Sequence, residues 1–410
     1  MRYVVAFALA SSLVAAKSPQ PTFHKDVLPI LQKRCQQCHR EGESAPMALV
    51  TYKDARPWAK AMREAVLTGK MPPWFADPKH GSFLNDRRLA QKDVETLAAW
   101  ADGGAPEGNA KDAPQPAQFV QGWKIGTPDI ILEMPSEFPV PEVGTIAYQH
   151  FVVPTGFTED RWVRAAEVRP GNRVLLHHAV VFVRPPTSRW LREAKPGEAF
   201  VPTRWESGLG PSDEILDTYV PGAVPFQLEP GQAKMIPAGS DFIFQMHYTA
   251  NGKAGVDRSR IGLIFSKQLP RERVISLQIA TRTHPVDARF QFQTGARIVS
   301  LFPHMHLRGK SMEYRVVLPG GESRVLLSVP NYDFNWQTFY YLSEQMALPK
   351  GARIEIHATF DNSLNNKSNP DPTKEVKWGD QSWEEMMVGY VDVAIDRTAD
   401  PMDLFRSGRG

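Results

Sequence analysis

Residues 241–248 read DFIFQMHY, and their alternation decides the fold class of the larger part of the chain. Successive side chains of a strand point to opposite faces, so Phe242, Phe244, Met246 and Tyr248 share one face and Asp241, Gln245 and His247 the other. Similar β-branched and aromatic runs recur at HFVVP (150–154), VLLHHAVVFV (174–183), RIGLIF (260–265), RIVSLF (297–302), YRVVLP (314–319) and RIEIHATF (353–360). Pro, Gly, Asn and Asp turns separate them. Many short strands spaced this way predict antiparallel sandwiches, and the stretch from 123 onward suits two all-β domains, 123–270 and 271–410, joined near KQLPRER (267–273). No sequence repeat relates the two halves. Residues 184–222, with Trp190 and Trp205, and residues 362–382 are long irregular insertions of the kind that is commonly functional or mobile.

The amino-terminal quarter has another character. MRYVVAFALASSLVAAKS pairs Arg2 with a short apolar run and small residues before Lys17, which predicts an export signal over 1–16 and a periplasmic or secreted mature protein. The run is shorter than the roughly 20 apolar residues that span a bilayer, and no later segment comes close, so no membrane span is expected. The chain carries 48 Lys and Arg against 45 Asp and Glu, with no long basic block, so nothing points to nucleic acid.

Cys35 and Cys38 are the only two cysteines, and both lie in CQQCH (35–39). In this pattern two thiols join the vinyl groups of a covalently bound haem c and the adjacent His39 supplies the proximal iron ligand. A redox or zinc pair is the alternative, but no second cysteine pair completes a zinc site. The surroundings, residues 17–104, resemble a small class I cytochrome c. Val27, Leu28, Ile30 and Leu31 suit a first helix with Pro29 in its early turns, residues 57–68 a second ending at Gly69, and residues 91–101 a third with Val94, Leu97, Ala98 and Ala101 on one face. Met71 in GKMPPW has the place of that family's axial methionine, with Met47, His80 and His24 as alternatives. Residues 105–122, rich in Gly, Ala and Pro, read as a linker.

Most remaining histidines fall in or beside strands. His177 and His178 are adjacent, so they point to opposite faces of a regular strand and can share an ion only where the backbone bulges or the strand ends. His304 and His306 in PHMHLRGK stand two apart and face the same way, a spacing that admits either a shared metal or a solvated, hydrogen-bonded pair. His150, His284 and His357 have no assigned role; packing or hydrogen bonding is the expectation for His150 and His357.

The order HHAVVFV, QMHY, PHMHLRGK and WEEMMVGY resembles the ligand segments of the type II copper, ascorbate-dependent monooxygenases, the group that includes peptidylglycine α-hydroxylating and dopamine β-monooxygenases. The resemblance covers roughly residues 123–400 and implies two jelly-roll-like sandwiches, each with one of two copper ions. It implies an electron-transfer copper on His177, His178 and His247, and an oxygen-binding copper on His304, His306 and Met386, with Met387 the near alternative. Thioether ligation suits a copper that cycles through the soft reduced ion. The sequence departs from the animal enzymes in having no cysteine in its β halves. It also has Phe302 and Val388 where the peptide-amidating branch has the Arg and Asn that grip its substrate, and keeps only Tyr390. The resemblance therefore implies a copper monooxygenase acting with O2 on a small, apolar or aromatic organic substrate. Electrons would come from ascorbate or another external donor through the haem. A non-catalytic haem and copper electron carrier is the alternative.

Overall fold

Apolar residues at helical spacing build the first of two units into which the chain divides. The computed structural model describes residues 20–202, 214–281 and 286–406; the expected export signal, Trp205 and His284 lie outside the described residues. One unit comprises Met1–Gln36, Met47–Pro72 and Leu89–Ala117, the other Gln37–Pro46, Pro73–Arg88 and Gln118–Gly410. In the first, a π-helical turn Phe23–Val27 runs into helix Leu28–Arg34, where Pro29 falls in the first turn and its missing N–H costs no bond. Helix Ala59–Leu67 stops before Gly69, whose φ of 69° needs glycine, and helix Gln91–Asp102 completes the unit. Its core holds Phe23, Leu31, Met62, Leu97 and Trp100. The predicted face is rotated: Leu97 and Ala101 are buried with Trp100, whose indole N–H donates to the Pro106 carbonyl at 2.9 Å, while Val94 and Ala98 are half-buried. No helix among the described residues is long and apolar enough to cross a membrane.

The second unit is β-rich. A long sheet runs in the order Ile130–Glu133, Arg260–Phe265, Arg161–Arg169, Gln232–Ile236, Glu272–Ala280, Met387–Asp396, Ala296–Met305 and Tyr340–Leu348, with Phe226–Gln227 beside its third strand. Two four-stranded sheets cover it. The first half faces the sheet Gln149–Pro154, Asp241–Tyr248, Leu176–Arg184, Glu214–Tyr219 across a core that includes Phe151, Val181, Phe244, Met246, Val163 and Leu263. The second half faces the sheet Asp287–Gln291, Arg353–Phe360, Gly309–Val317, Ser323–Val329 across Ile298, Leu301, Val391, Tyr314 and Ile354. The all-β sandwiches expected from alternation are present, and they share one sheet because Gln232–Ala233 pairs in parallel with Glu272–Arg273.

Strand parity sets what lies outside these cores. With Phe151, Val181 and Phe244 turned inward, Val152, Val180, Phe182 and Ile243 turn outward and pack against Phe302, Met386, Val388 and Tyr390 of the second half. One glycine lets the two sheets of the second sandwich pack closely: a Cβ on Gly389 would lie 2.0 Å from Ile356 Cδ1 and 3.1 Å from the Tyr314 hydroxyl, both buried in its core. Gly389→Ala is expected to cost about 1–3 kcal/mol of stability, read by urea denaturation, because neither neighbour has space to retreat into. An unchanged midpoint would show that the core relaxes freely there.

Candidate metal centres

The adjacent histidines meet through a backbone irregularity. On the strand Leu176–Arg184, Leu176 pairs with Tyr248 and His178 with His247, so the register shifts across His177. That bulge turns His177 to the side of its neighbour, as a shared site requires. His177 Nδ1 lies 3.0 Å from His178 Nδ1, which lies 3.3 Å from His247 Nδ1, and one ligand atom from each histidine falls within 4.8 Å of the others. Three imidazole lone pairs this close repel unless a proton or cation lies among them. Burial, then the neighbouring imidazoles, hold His178 well below its ordinary pKa, and burial likewise pushes His247 down to about 3. The His177 ring donates from Nε2 to Asn335 Oδ1 at 3.1 Å, which leaves Nδ1 as its ligating lone pair.

His304 is the penultimate residue of the strand Ala296–Met305 and His306 follows the strand, their rings 5.2 Å apart. Each is fixed through Nδ1: His304 donates to Gln337 Oε1 at 2.5 Å and His306 to the Glu384 carbonyl at 3.2 Å. Both therefore present Nε2 as a lone pair, and His306 Nε2 is buried without a hydrogen-bond partner. The pairing His304↔Val388 and Met305↔Met387 sets Met386 opposite His306. Met386 lines a cavity with both histidines, whereas Met387 turns into the core of the second sandwich. The Tyr332 hydroxyl braces this turn, accepting from Met305 N at 3.0 Å and donating to Met305 O at 2.8 Å. Two imidazoles and a thioether form a donor set for a soft, redox-active ion such as copper, and the unpartnered His306 nitrogen gives such an ion a place.

Two aromatic side chains lie between the histidine groups, and sequence reasoning did not single out either. The Tyr148 ring sits 5.6 Å from His178, 4.8 Å from His247 and 6.2 Å from His306. Phe334 stacks on His177 at 5.7 Å and meets His306 edge-on at 6.3 Å. Their histidine neighbours are at least 28 residues distant in sequence (Phe334 to His306), so no local pattern marks them. Besides His304, His306 and Met386, the cavity, of about 40 Å3, is lined by Phe182, Trp190, Phe302 and Tyr390, with Phe302 stacked on Tyr390 at 5.4 Å.

The other expected site residues are placed individually. Cys35 packs against the helical core of the first unit, while Cys38 and His39 belong to the segment Gln37–Pro46 of the second. Neither cysteine is in a disulfide, both are partly exposed, and burial raises the pKa of the Cys38 thiol. Met71 is half-buried at the end of helical unit segment Met47–Pro72. His24 approaches Glu107 at 3.4 Å. His357 is exposed and bonded to Asp287 at 2.8 Å, whereas His150 is buried on the cavity wall.

Residues 261–395 match the family model for the copper type II ascorbate-dependent monooxygenase, C-terminal domain. That region carries His304, His306, Met386 and Tyr390, while His177, His178 and His247 precede it. No curated protein matches the chain. Among solved structures, infectious bursal disease virus Gx strain is similar at 12% identity over 70% of this chain and 71% of that one, with a TM-score of 0.19. An oxalate decarboxylase structure described by its substrate binding mode is similar at 11% identity over 80% and 89%, with a TM-score of 0.15. The coconut allergen cocosin is similar at 8% identity over 67% and 87%, with a TM-score of 0.13.

Proposed function

We propose that the protein is an exported, haem-linked copper monooxygenase that inserts one atom of O2 into a C–H bond of a small apolar or aromatic substrate. The other oxygen atom leaves as water, with two electrons and two protons supplied. The observation that carries this reading is a three-histidine cluster together with a histidine pair that lines an aromatic cavity, in a chain whose region 261–395 matches the copper monooxygenase domain. Copper held by His304, His306 and Met386 would supply oxygen activation, and copper held by His177, His178 and His247 the second electron. The protein's own part is orientation and exclusion. Gln337 and the Glu384 carbonyl lock the two Nε2 atoms toward the cavity, the Met386 thioether favours the reduced ion, and Phe182, Trp190 and Phe302 keep water from the reacting C–H bond. Haem on Cys35 and Cys38, with His39 and Met71 as axial ligands, would deliver electrons singly from an external donor, beside or in place of ascorbate.

The test is oxygen uptake by the copper-loaded full chain against small aromatics, amines and fatty compounds, with 18O2 as oxidant. A product heavier by one labelled oxygen atom supports the reaction class. Redox-active copper without any product would leave a non-catalytic electron carrier.

Proton competition gives a second expectation. Burial holds His247 at about 3 and His304 at about 4, and lowers His177 and His178 too. Groups whose folded pKa lies below the ordinary value near 6.5 stay neutral until the pH reaches the folded value, so they keep their lone pairs for a metal in mild acid. The Cu(II) spectrum of the three-histidine site is therefore expected to persist from about pH 7.5 to about pH 5.5, a window in which exposed imidazoles protonate. Bleaching by about pH 5.5 would contradict it.

A further inference from the structure

The short helical turn Phe334–Trp336 and the residues just after it serve both histidine groups. Asn335 Oδ1 accepts from His177 of the three-histidine cluster at 3.1 Å, and two residues on Gln337 Oε1 accepts from His304 of the other group at 2.5 Å. The buried Phe334 ring lies 5.7 Å from His177, 5.9 Å from His178, 5.7 Å from His247 and 6.3 Å from His306. One side chain of the turn thus meets four of the histidines, and the remaining one, His304, is bonded to Gln337.

What orients the two amides lies within the turn itself. A side-chain amide accepts at its oxygen and donates at its nitrogen, so a flipped amide would offer its histidine the opposite partner and favour the opposite tautomer. Asn335 Nδ2 donates to Asp333 Oδ1 at 2.8 Å, and the Asn335 backbone N–H donates to the same oxygen at 2.9 Å. With its nitrogen committed, Asn335 turns Oδ1 to His177, which holds its proton on Nε2 and keeps the Nδ1 lone pair. Gln337 Nε2 likewise donates to the Phe334 carbonyl at 3.2 Å, which leaves Oε1 for His304 Nδ1 and the lone pair on His304 Nε2. The Trp336 N–H closes the turn on the Asp333 carbonyl at 3.0 Å. The Asp333 side chain caps this turn and hydrogen-bonds to none of the five histidines.

We infer that Asp333 is a positioning residue for both metal centres. It holds the Asn335 amide directly and, by capping the turn, holds the Phe334 carbonyl that orients Gln337, so it sets the ligating nitrogen of one histidine in each group. The inference rests on the copper reading of these histidines and adds that the two sites share one support. Groups behind a metal ligand are typically worth ten- to hundredfold in metal affinity, and here one residue stands behind two sites.

The test titrates copper(II) into the full chain and reads each site by its electron paramagnetic resonance spectrum and by competition with a chelator. Two backgrounds isolate the sites: His304→Ala with His306→Ala leaves the three-histidine site, and His177→Ala with His178→Ala leaves the other. Asp333→Ala is expected to weaken copper about tenfold at each site and to change both spectra. Asp333→Asn, which keeps an accepting oxygen in the same place, should restore both. Asn335→Ala should weaken the three-histidine site alone and Gln337→Leu the other alone, since each removes one amide and leaves the cap. An Asp333→Ala chain altered at one site only or at neither, or an Asp333→Asn chain as weak as Asp333→Ala, overturns the shared role. Should Asp333→Ala not fold, Asp333→Gly takes its place with the same expectation, because glycine is the mildest loss at a cap and lacks the same oxygen. Copper absent from either site without the Asp333 change also overturns the inference. The expected copper pattern with no oxygenated product leaves it standing and removes the monooxygenase reading.

Discussion

Met386→Leu is expected to lower turnover by more than about a hundredfold while leaving the copper spectrum of the three-histidine site in place. The expectation follows from strand register. Met305 faces Met387 across the pair of strands, so the side chains of Met386 and Met387 leave the sheet on opposite faces. Met387 is fully buried among Met305, Tyr314 and Ile356, whereas Met386, 4% exposed, shares the cavity with His304 and His306. Leucine nearly matches methionine in volume, so packing against Phe302 and Tyr390 changes by less than about 1.5 kcal/mol, and the variant separates loss of a sulfur donor from loss of fold. Loss of a direct ligand should exceed the ten- to hundredfold typical of the groups behind one. Met387→Leu serves as the control, with turnover within a few-fold of wild type. Full activity in Met386→Leu together with its loss in Met387→Leu would move the donor one residue along and require the strand to slip.

How far this geometry can be read from the sequence depends on the range of the contacts that make it. Alternation within DFIFQMHY places His247 opposite the core because the information is local, and Phe242, Phe244, Met246 and Tyr248 are all buried. For His177 and His178 the same rule states a conflict, and its resolution, the shifted register between Leu176 and His178, depends on a partner strand some seventy residues on. The groups that orient the imidazoles, Asn335, Gln337 and the Glu384 carbonyl, sit in turns with no spacing that ties them to HHAV or HMH. Tyr148 and Phe334 are equally silent, since an aromatic residue near a turn is ordinary until three or four histidines close around it. His150 illustrates the same limit. A strand histidine is usually packed or bonded, and this one is buried and bonded to Gln245 through Nε2, on the wall of a cavity that forms only where the two sandwiches meet.

Asp392→Ala is expected to destabilise the protein by about 3–5 kcal/mol, because it strands a cation in the joint between the sandwiches. Lys234 and Asp392 are each 2% exposed and 3.3 Å apart. One Asp392 oxygen accepts from the Ser276 hydroxyl at 2.5 Å and the other from the Ser300 hydroxyl at 2.8 Å. Lys234 also donates to Ser276 Oγ at 2.8 Å and to the Ile215 carbonyl at 2.6 Å. Lys234 comes from the first half of the long sheet and Asp392 from the second, so the pair closes the sheet where its single parallel register, Gln232↔Glu272, joins the halves. Removing the carboxylate leaves a desolvated ammonium, whereas removing both charges leaves apolar contacts of similar volume. Lys234→Met with Asp392→Leu should therefore recover most of the stability that Asp392→Ala loses, a coupling read directly from urea midpoints. Equal losses in the single and double variants would mean that the charges do not interact. The double variant also separates folding from placement: Ile215 lines the cavity and Asp392 is six residues beyond Met386, so a variant that is stable but slow would show that the buried pair sets the spacing of the two histidine groups.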